Sequence, residues 1–169
     1  MNNKIERLIN ILRDRKETIS FMESCTGGYC TNSITNIPGS SDIIKFSAVT
    51  YSNEFKIKLG VDKSIIDKYT VYSIETSISM AKSIKLFSNS SIGVGITGMI
   101  GNIDKYNEGY NIDNVDDVNK INNRINQVYY SIIYNDNIIS KTINVNGDRK
   151  SSKEEIFNNI LDNILDLLK

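Results

Sequence analysis

The six residues Glu23-Ser24-Cys25-Thr26-Gly27-Gly28 are the densest concentration of chemistry in the chain, placed where a strand should hand over to a helix. Glycines at such a junction let the backbone approach a ligand closely, and free amides at a helix start attract an anion or a developing oxyanion. A serine there, Ser24, presents its hydroxyl beside those amides, as an acyl-transfer nucleophile must. The same six residues also read as an N-cap serine followed by ordinary turn glycines.

A serine hydroxyl is a weak nucleophile without a base, and the chain contains no histidine. The base must then be Lys, Tyr, Asp or Glu. A lysine serves only if it is neutral near pH 7, which asks for a fall of about 3 from its usual pKa of about 10.4, worth about 4 kcal/mol. Partial burial in an apolar pocket or beside another cation supplies such a fall. The segment Thr50-Tyr51-Ser52-Asn53-Glu54-Phe55-Lys56 offers Tyr51 at a predicted strand end and Lys56 one turn further on. Taken singly, they are equally a strand-end tyrosine and a solvated lysine. The segment Ile96-Thr97-Gly98-Met99-Ile100-Gly101 sets a hydroxyl and two glycines at another strand end. That suits phosphate or ribose contact, or a plain strand-to-loop turn.

Cys25 and Cys30 have no visible partner to lower a thiol pKa, so both read as small core residues. Without histidine they form neither a disulfide framework nor a zinc constellation, and no metal or cofactor is expected.

Several elements must position these groups. Ile5, Leu8, Ile9 and Leu12 recur at helical spacing in a first amphipathic helix, and residues 18–22 follow as a strand. The glycine turn leads into a helix over 29–35, closed by the Pro38-Gly39 turn signal. Residues 43–51 read as a strand and 53–69 as short helical turns. A helix over 73–87 carries Ile74, Ile78, Ala81, Ile84 and Leu86 on its apolar face. Residues 91–97 form a compact apolar strand. The polar, Asn-rich stretch 102–126 reads as an exposed, disordered insertion loop. Residues 127–134 and 137–145 alternate around Asn135-Asp136 as a hairpin. A last helix starts at Ser151 or Ser152 in a capping box with Glu154 or Glu155. Its stripe of Ile156, Phe157, Ile160, Leu161, Ile164, Leu165 and Leu168 must be buried. Helices alternating with strands plus one hairpin predict an α/β fold, a three-layer α/β/α sandwich with a mixed sheet in a single domain.

The chain has 169 residues, with 20 acidic and 20 basic side chains. That length suits one domain over residues 1–169. The balance of charge provides no field for nucleic acid or an anionic membrane, so a small-molecule substrate is expected instead. No apolar run long enough for a membrane span or a secretory leader occurs, and cytoplasmic localisation is expected.

Taken together, ESCTGG at 23–28, PGSS at 38–41 and VTYSNEFK at 49–56 resemble the nicotinamide-nucleotide amidohydrolases related to the competence-damage-inducible protein CinA. Val71-Tyr72-Ser73, Thr97-Gly98 and Gly147-Asp148-Arg149 fit the same pattern, so the likeness runs from the first helix to the last. The resemblance implies metal-independent hydrolysis of the carboxamide of nicotinamide mononucleotide to the acid and ammonia, in pyridine-nucleotide salvage. It makes Ser24 the nucleophile and Lys56 the activating base, with Tyr51 nearby. It sets Thr26, Gly27 and Gly28 around the oxyanion and Thr97 and Gly98 near the substrate, and gives Arg149 a phosphate or a chain interface. A homo-oligomer is expected from the same source.

The chain departs from the pattern at one place. Relatives continue the Thr-Gly segment as GIAGPGGG, whereas here Gly98-Met99-Ile100-Gly101-Asn102-Ile103-Asp104 follows, and then the polar insertion. Glycine runs cradle phosphate through successive amides, which the side chains of Ile103 and Asp104 would crowd or repel. Three readings stand at this stage: the amidohydrolase itself, an amidase for a different amide, and a nucleotide-binding or interaction module without catalysis.

Overall fold

The computed structural model describes residues 1–101 and 124–169. Of the loop expected at 102–126, only residues 124–126 fall within these bounds, and they form a turn.

The helices and strands follow in the order α1 (Asn2–Arg15), β1 (Ile19–Glu23), α2 (Tyr29–Thr35), a single 3-10 turn (Ser40–Asp42), β2 (Ala48–Val49), α3 (Asn53–Lys58), α4 (Lys63–Tyr69), α5 (Ile74–Ser88), β3 (Ile92–Gly98), β4 (Gln127–Tyr134), β5 (Asn137–Asn144) and α6 (Arg149–Leu167). The strands form one mixed sheet in the order β2-β1-β3-β4-β5. The first three run parallel, while β3, β4 and β5 pair antiparallel. Helices cover both faces, which makes the three-layer α/β/α sandwich that the sequence predicts.

The strands' alternation assigns each face its layer. Ile19 and Phe21, Ile92, Val94 and Ile96, and Val128, Tyr130 and Ile132 point into one core with α1, α2 and α6. The seven-residue stripe of α6 is buried there, each side chain contributing about 1.5–3 kcal/mol. The other face is different in kind. There β3 offers Gly93 and Gly95, and α5 lies so close that a β-carbon at Gly95 would come within 2.2 Å of the Ser77 carbonyl oxygen.

That close approach corrects the expected face of α5. Ser77 and Ala81 are buried against the sheet, Ile74 and Ile78 only half so, and Leu86 is 85% exposed. The helix meets the β3 glycines through its small residues, while Ala81 and Ile84 of the expected face are buried together with Met80. Two further corrections are local. The strand expected over 43–51 shrinks to two paired residues, because the Ser47 hydroxyl accepts the Phe21 amide in place of a ladder carbonyl. Helix α6 starts earlier than expected, capped by Asp148, whose carboxylate accepts the Lys150 and Ser151 amides; neither Ser151 nor Ser152 is the cap. Among the described residues no helix is long and apolar enough to cross a membrane.

The topology also sets where a ligand can sit. The chain leaves β1 through α2 on one face and reaches β3 through α5 on the other, so the connections diverge at the carboxyl end of β1. Ligands in open α/β sheets bind in the crevice that such a divergence opens.

Candidate active site

Ser24 is the first residue beyond β1, anchored by its amide to the Ile96 carbonyl of β3 at 3.1 Å. Lys56 enters from α3, a helix of six residues that begins at Ser52, whose hydroxyl caps the Phe55 amide. The Lys56 side chain is 1% exposed. Its Nζ donates to the Thr50 carbonyl at 2.7 Å and to Ser24 Oγ at 3.2 Å. The two residues that the sequence singled out as nucleophile and base are thus in direct contact.

Burial pushes the Lys56 amine down from 10.5 to about 8, with Cys25 acting weakly in the opposite direction. No carboxylate pairs with it among the described residues. At pH 7 roughly a tenth of such an amine is neutral, enough to act as a base and replenished in fast exchange with water. Burial has the opposite sense for Cys25, whose thiol is pushed up to about 12, and for Cys30, which is raised well above its ordinary value. Both are core thiols, as the sequence suggested.

Ser24 and Lys56 open into a narrow cleft lined also by Cys25, Tyr51, Val71, Tyr72, Gly98, Met99, Ile100 and Arg149. Tyr51 stands at the mouth, half exposed, and its hydroxyl accepts from Arg149 Nη2 at 3.2 Å. The polar part of the lining includes the amine, the phenol and the guanidinium. The apolar part is made by Val71, Tyr72, Met99 and Ile100.

Two expectations for substrate contact are redirected. The Gly28 amide is not free: it donates to Glu23 Oε2 at 3.0 Å, as does Cys30 at 3.2 Å, while the Thr31 amide and hydroxyl donate to Glu23 Oε1 at 2.9 and 2.8 Å. The amino end of α2 is closed by the protein's own carboxylate, and Thr26 is fully buried outside the cleft lining. Gly27 and Gly28 are required by their backbone, with φ of +61° and +90°. Thr97 is likewise turned away, its hydroxyl donating to the Val71 carbonyl at 2.8 Å.

Glu23 is the functional-region residue that sequence reasoning passed over. It stood in the hexapeptide, but nothing in its neighbours' types says that a strand-end glutamate folds back to cap the next helix. Thr70 was missed too. Its φ of 70° and ψ of 167° fall where essentially only glycine is comfortable, and a β-branched residue held there costs on the order of 1–3 kcal/mol.

The family model for the CinA C-terminal domain matches residues 2–109. The chain belongs to that family. This CinA-type domain is 33% identical over 153 residues to a putative competence-damage inducible protein of Clostridium acetobutylicum, covering 90% of the chain and 34% of that protein. It is 31% identical over 163 residues to a CinA-like protein of Petrotoga mobilis, covering 96% of the chain and 37% of that protein. The domain thus spans about a third of the length of these curated relatives. Among solved structures, the competence/damage inducible protein CihA of Agrobacterium tumefaciens superimposes with a TM-score of 0.83 at 22% identity, over 99% of this chain and 94% of that one. A competence or damage-inducible protein of Enterobacter asburiae gives 0.83 at 22% identity, over 98% of this chain and 96% of that one. At such identities the likeness speaks for the CinA fold.

Proposed function

We propose that this domain is a serine amidohydrolase that converts the carboxamide of nicotinamide mononucleotide to the carboxylate and ammonia without a metal. The observation that carries the reading is the 3.2 Å contact between Ser24 Oγ and a buried Lys56 amine that has no carboxylate partner among the described residues. Neutral Lys56 takes the Ser24 proton as Oγ bonds to the amide carbon. Collapse of the tetrahedral intermediate breaks the C–N bond, and the Lys56 ammonium returns the proton to the departing nitrogen. Water, activated by the same amine, then cleaves the acyl-serine ester, releasing the acid and restoring Ser24.

The remaining groups take supporting roles. Thr50 aims the amine through its carbonyl. In the turn, the Ser24 and Gly27 amides serve backbone carbonyls, and Gly28, Cys30 and Thr31 serve Glu23. The Cys25 amide, from a residue that lines the cleft, is therefore the donor assigned to the oxyanion. Tyr51 and Arg149 meet the phosphate at the mouth, while Val71, Tyr72, Met99 and Ile100 flank the pyridine ring.

Met99 and Ile100, which line the cleft where the resemblance leads one to expect a glycine run, favour a second reading, hydrolysis of a smaller pyridine carboxamide. Ammonia release settles both readings: purified protein is incubated with the mononucleotide and with pyridine carboxamides lacking phosphate. Turnover that Ser24→Ala abolishes, with the fold intact, is the expected outcome. Turnover of none of them by the wild type, or full turnover by Ser24→Ala, sinks the serine mechanism.

A further inference from the structure

The apolar wall of the cleft is held in place by an unusual number of side chains. Thr70, with its glycine-like backbone, directly precedes the wall residues Val71 and Tyr72. Its carbonyl accepts from Ser73 Oγ at 3.0 Å and from Thr76 Oγ1 at 2.7 Å. Its hydroxyl accepts from the Tyr72 amide at 3.3 Å and from Arg124 Nη1 at 2.7 Å. The same guanidinium nitrogen donates to the Tyr72 carbonyl at 3.3 Å, and Thr97 grips the Val71 carbonyl between them.

Arg124, like Thr97 of β3, differs from the remaining clamps in origin. Ser73, Thr76 and Tyr72 belong to the same local stretch, whereas Arg124 reaches in from just before β4, 54 residues away from Thr70. Its own position is set nearby: the Gln127 amide donates to the Arg124 carbonyl, and Asn126 Oδ1 accepts the Gly101 amide at 2.8 Å. A strained residue persists only where its surroundings over-determine it, and such residues gather at functional sites. Here a long-range side chain completes that restraint, and what it restrains is the surface facing Ser24.

We propose that Arg124 is a positioning residue that latches Thr70 in its strained conformation and thereby fixes the Val71–Tyr72 wall against which the substrate binds. The latch stands on geometry alone, while its effect on binding rests on the amidohydrolase reading. Arg124 touches neither Ser24 nor Lys56 and lies outside the cleft lining, so its loss moves the wall and leaves the reacting groups where they are.

The test pairs a measurement that needs no catalysis with one that does. In hydrogen exchange followed by mass spectrometry on the full chain, Arg124→Ala should speed exchange of the 70–73 amides by about tenfold or more while the β1 and β3 amides keep their protection. Adding Thr70→Gly should return the residue-70 amide, which donates to the Ile66 carbonyl, to within about threefold of wild type, because glycine holds the conformation without a clamp; the Tyr72 amide stays fast, having lost the Thr70 hydroxyl as acceptor. On whichever carboxamide the wild type turns over, Arg124→Ala should raise KM about tenfold with kcat within about threefold, and Thr70→Gly should restore KM. Unchanged exchange in Arg124→Ala overturns the latch. Faster exchange of the residue-70 amide that Thr70→Gly fails to reverse overturns the part played by strain, and faster exchange with an unchanged KM overturns the positioning role. A wild type that hydrolyses no carboxamide defeats the amidohydrolase reading, and the exchange arm still decides the latch.

Discussion

Two charges are buried beside Ser24, and the protein treats them in opposite ways. The carboxylate of Glu23 is enclosed by the turn that follows it, accepting three backbone amides and one hydroxyl. The amine of Lys56 meets one carbonyl and the Ser24 hydroxyl, and among the described residues no anion. A charge whose lone pairs are all engaged is structure; a charge left half-satisfied in a dry place is ready to give up its proton. On the proposed function, the contrast divides the two conspicuous polar groups of the region, Glu23 holding the turn and Lys56 carrying the reaction.

The contrast breaks most readily at Glu23. Glu23→Ala strands three buried amides and a hydroxyl, and should lower stability by roughly 4 kcal/mol or more in urea denaturation. A loss below about 1 kcal/mol would mean that water or local rearrangement satisfies these groups and that the carboxylate is dispensable.

Lys56→Met should act in the reverse direction on stability. A lysine lowered from 10.5 to about 8 binds fewer protons folded than unfolded between those values, so wild-type stability rises with pH across that window. Below about pH 8 the full burial cost of about 3 kcal/mol is present, and methionine removes it. The variant should therefore be the more stable protein at pH 7, with an advantage that fades toward pH 10.5. Taking the difference between variant and wild type cancels the buried thiols, which lose stability above their ordinary pKa of 9.0. Equal stability at pH 7 would show that the amine is better solvated than its burial implies.

The same substitution should lower kcat/KM by at least about 10²-fold. Wild-type kcat/KM should climb as pH rises through about 8 and then level off, since the neutral amine is the active form. A profile that Lys56→Met leaves unchanged in shape would assign the base elsewhere, with Tyr51 next in line.

The smallest expected effect sharpens the comparison from outside the core. Asp148 caps α6 with the same chemistry that Glu23 applies to α2, but in water, where hydrogen bonding to Ser151 and Lys150 holds its pKa below the ordinary 3.8. Asp148→Ala should lower Tm by less than half as much as Glu23→Ala. Equal losses would show that burial adds nothing to a helix cap here.

Much of this arrangement was legible in the sequence because it follows from local pattern. The α6 stripe, the β4–β5 hairpin and the strand-turn-helix around Ser24 are signalled by helical spacing of apolar residues, β-branched runs and turn residues. The contact between Ser24 and Lys56 came from resemblance, since a separation of 32 positions carries no spacing rule. What escaped was decided by packing between distant segments. The small face of α5 is intelligible only beside Gly93 and Gly95, the capping role of Glu23 only beside a helix that turns back on it, and the strain at Thr70 only once Arg124 is in reach. Thr97 misled for a related reason: a hydroxyl at a strand end has two directions, and the chain's need to tie down residue 71 took the inner one.

The parallel pairing at the centre of the sheet also bears on how the molecule comes together in time. Ile19 pairs with Ile92, 73 residues along the chain, whereas Tyr134 and Asn137 of the hairpin are joined by two. Closing the long loop carries an entropic cost that its contacts offset only after it has closed, so the hairpin and helices can form early while β1 docks on β3 late. The Ser24 amide is held by Ile96 of β3, which makes the position of the proposed nucleophile a product of that late docking. In refolding, catalytic competence should accordingly trail the recovery of helical signal, so that a chain caught part-way is already helical and still inert.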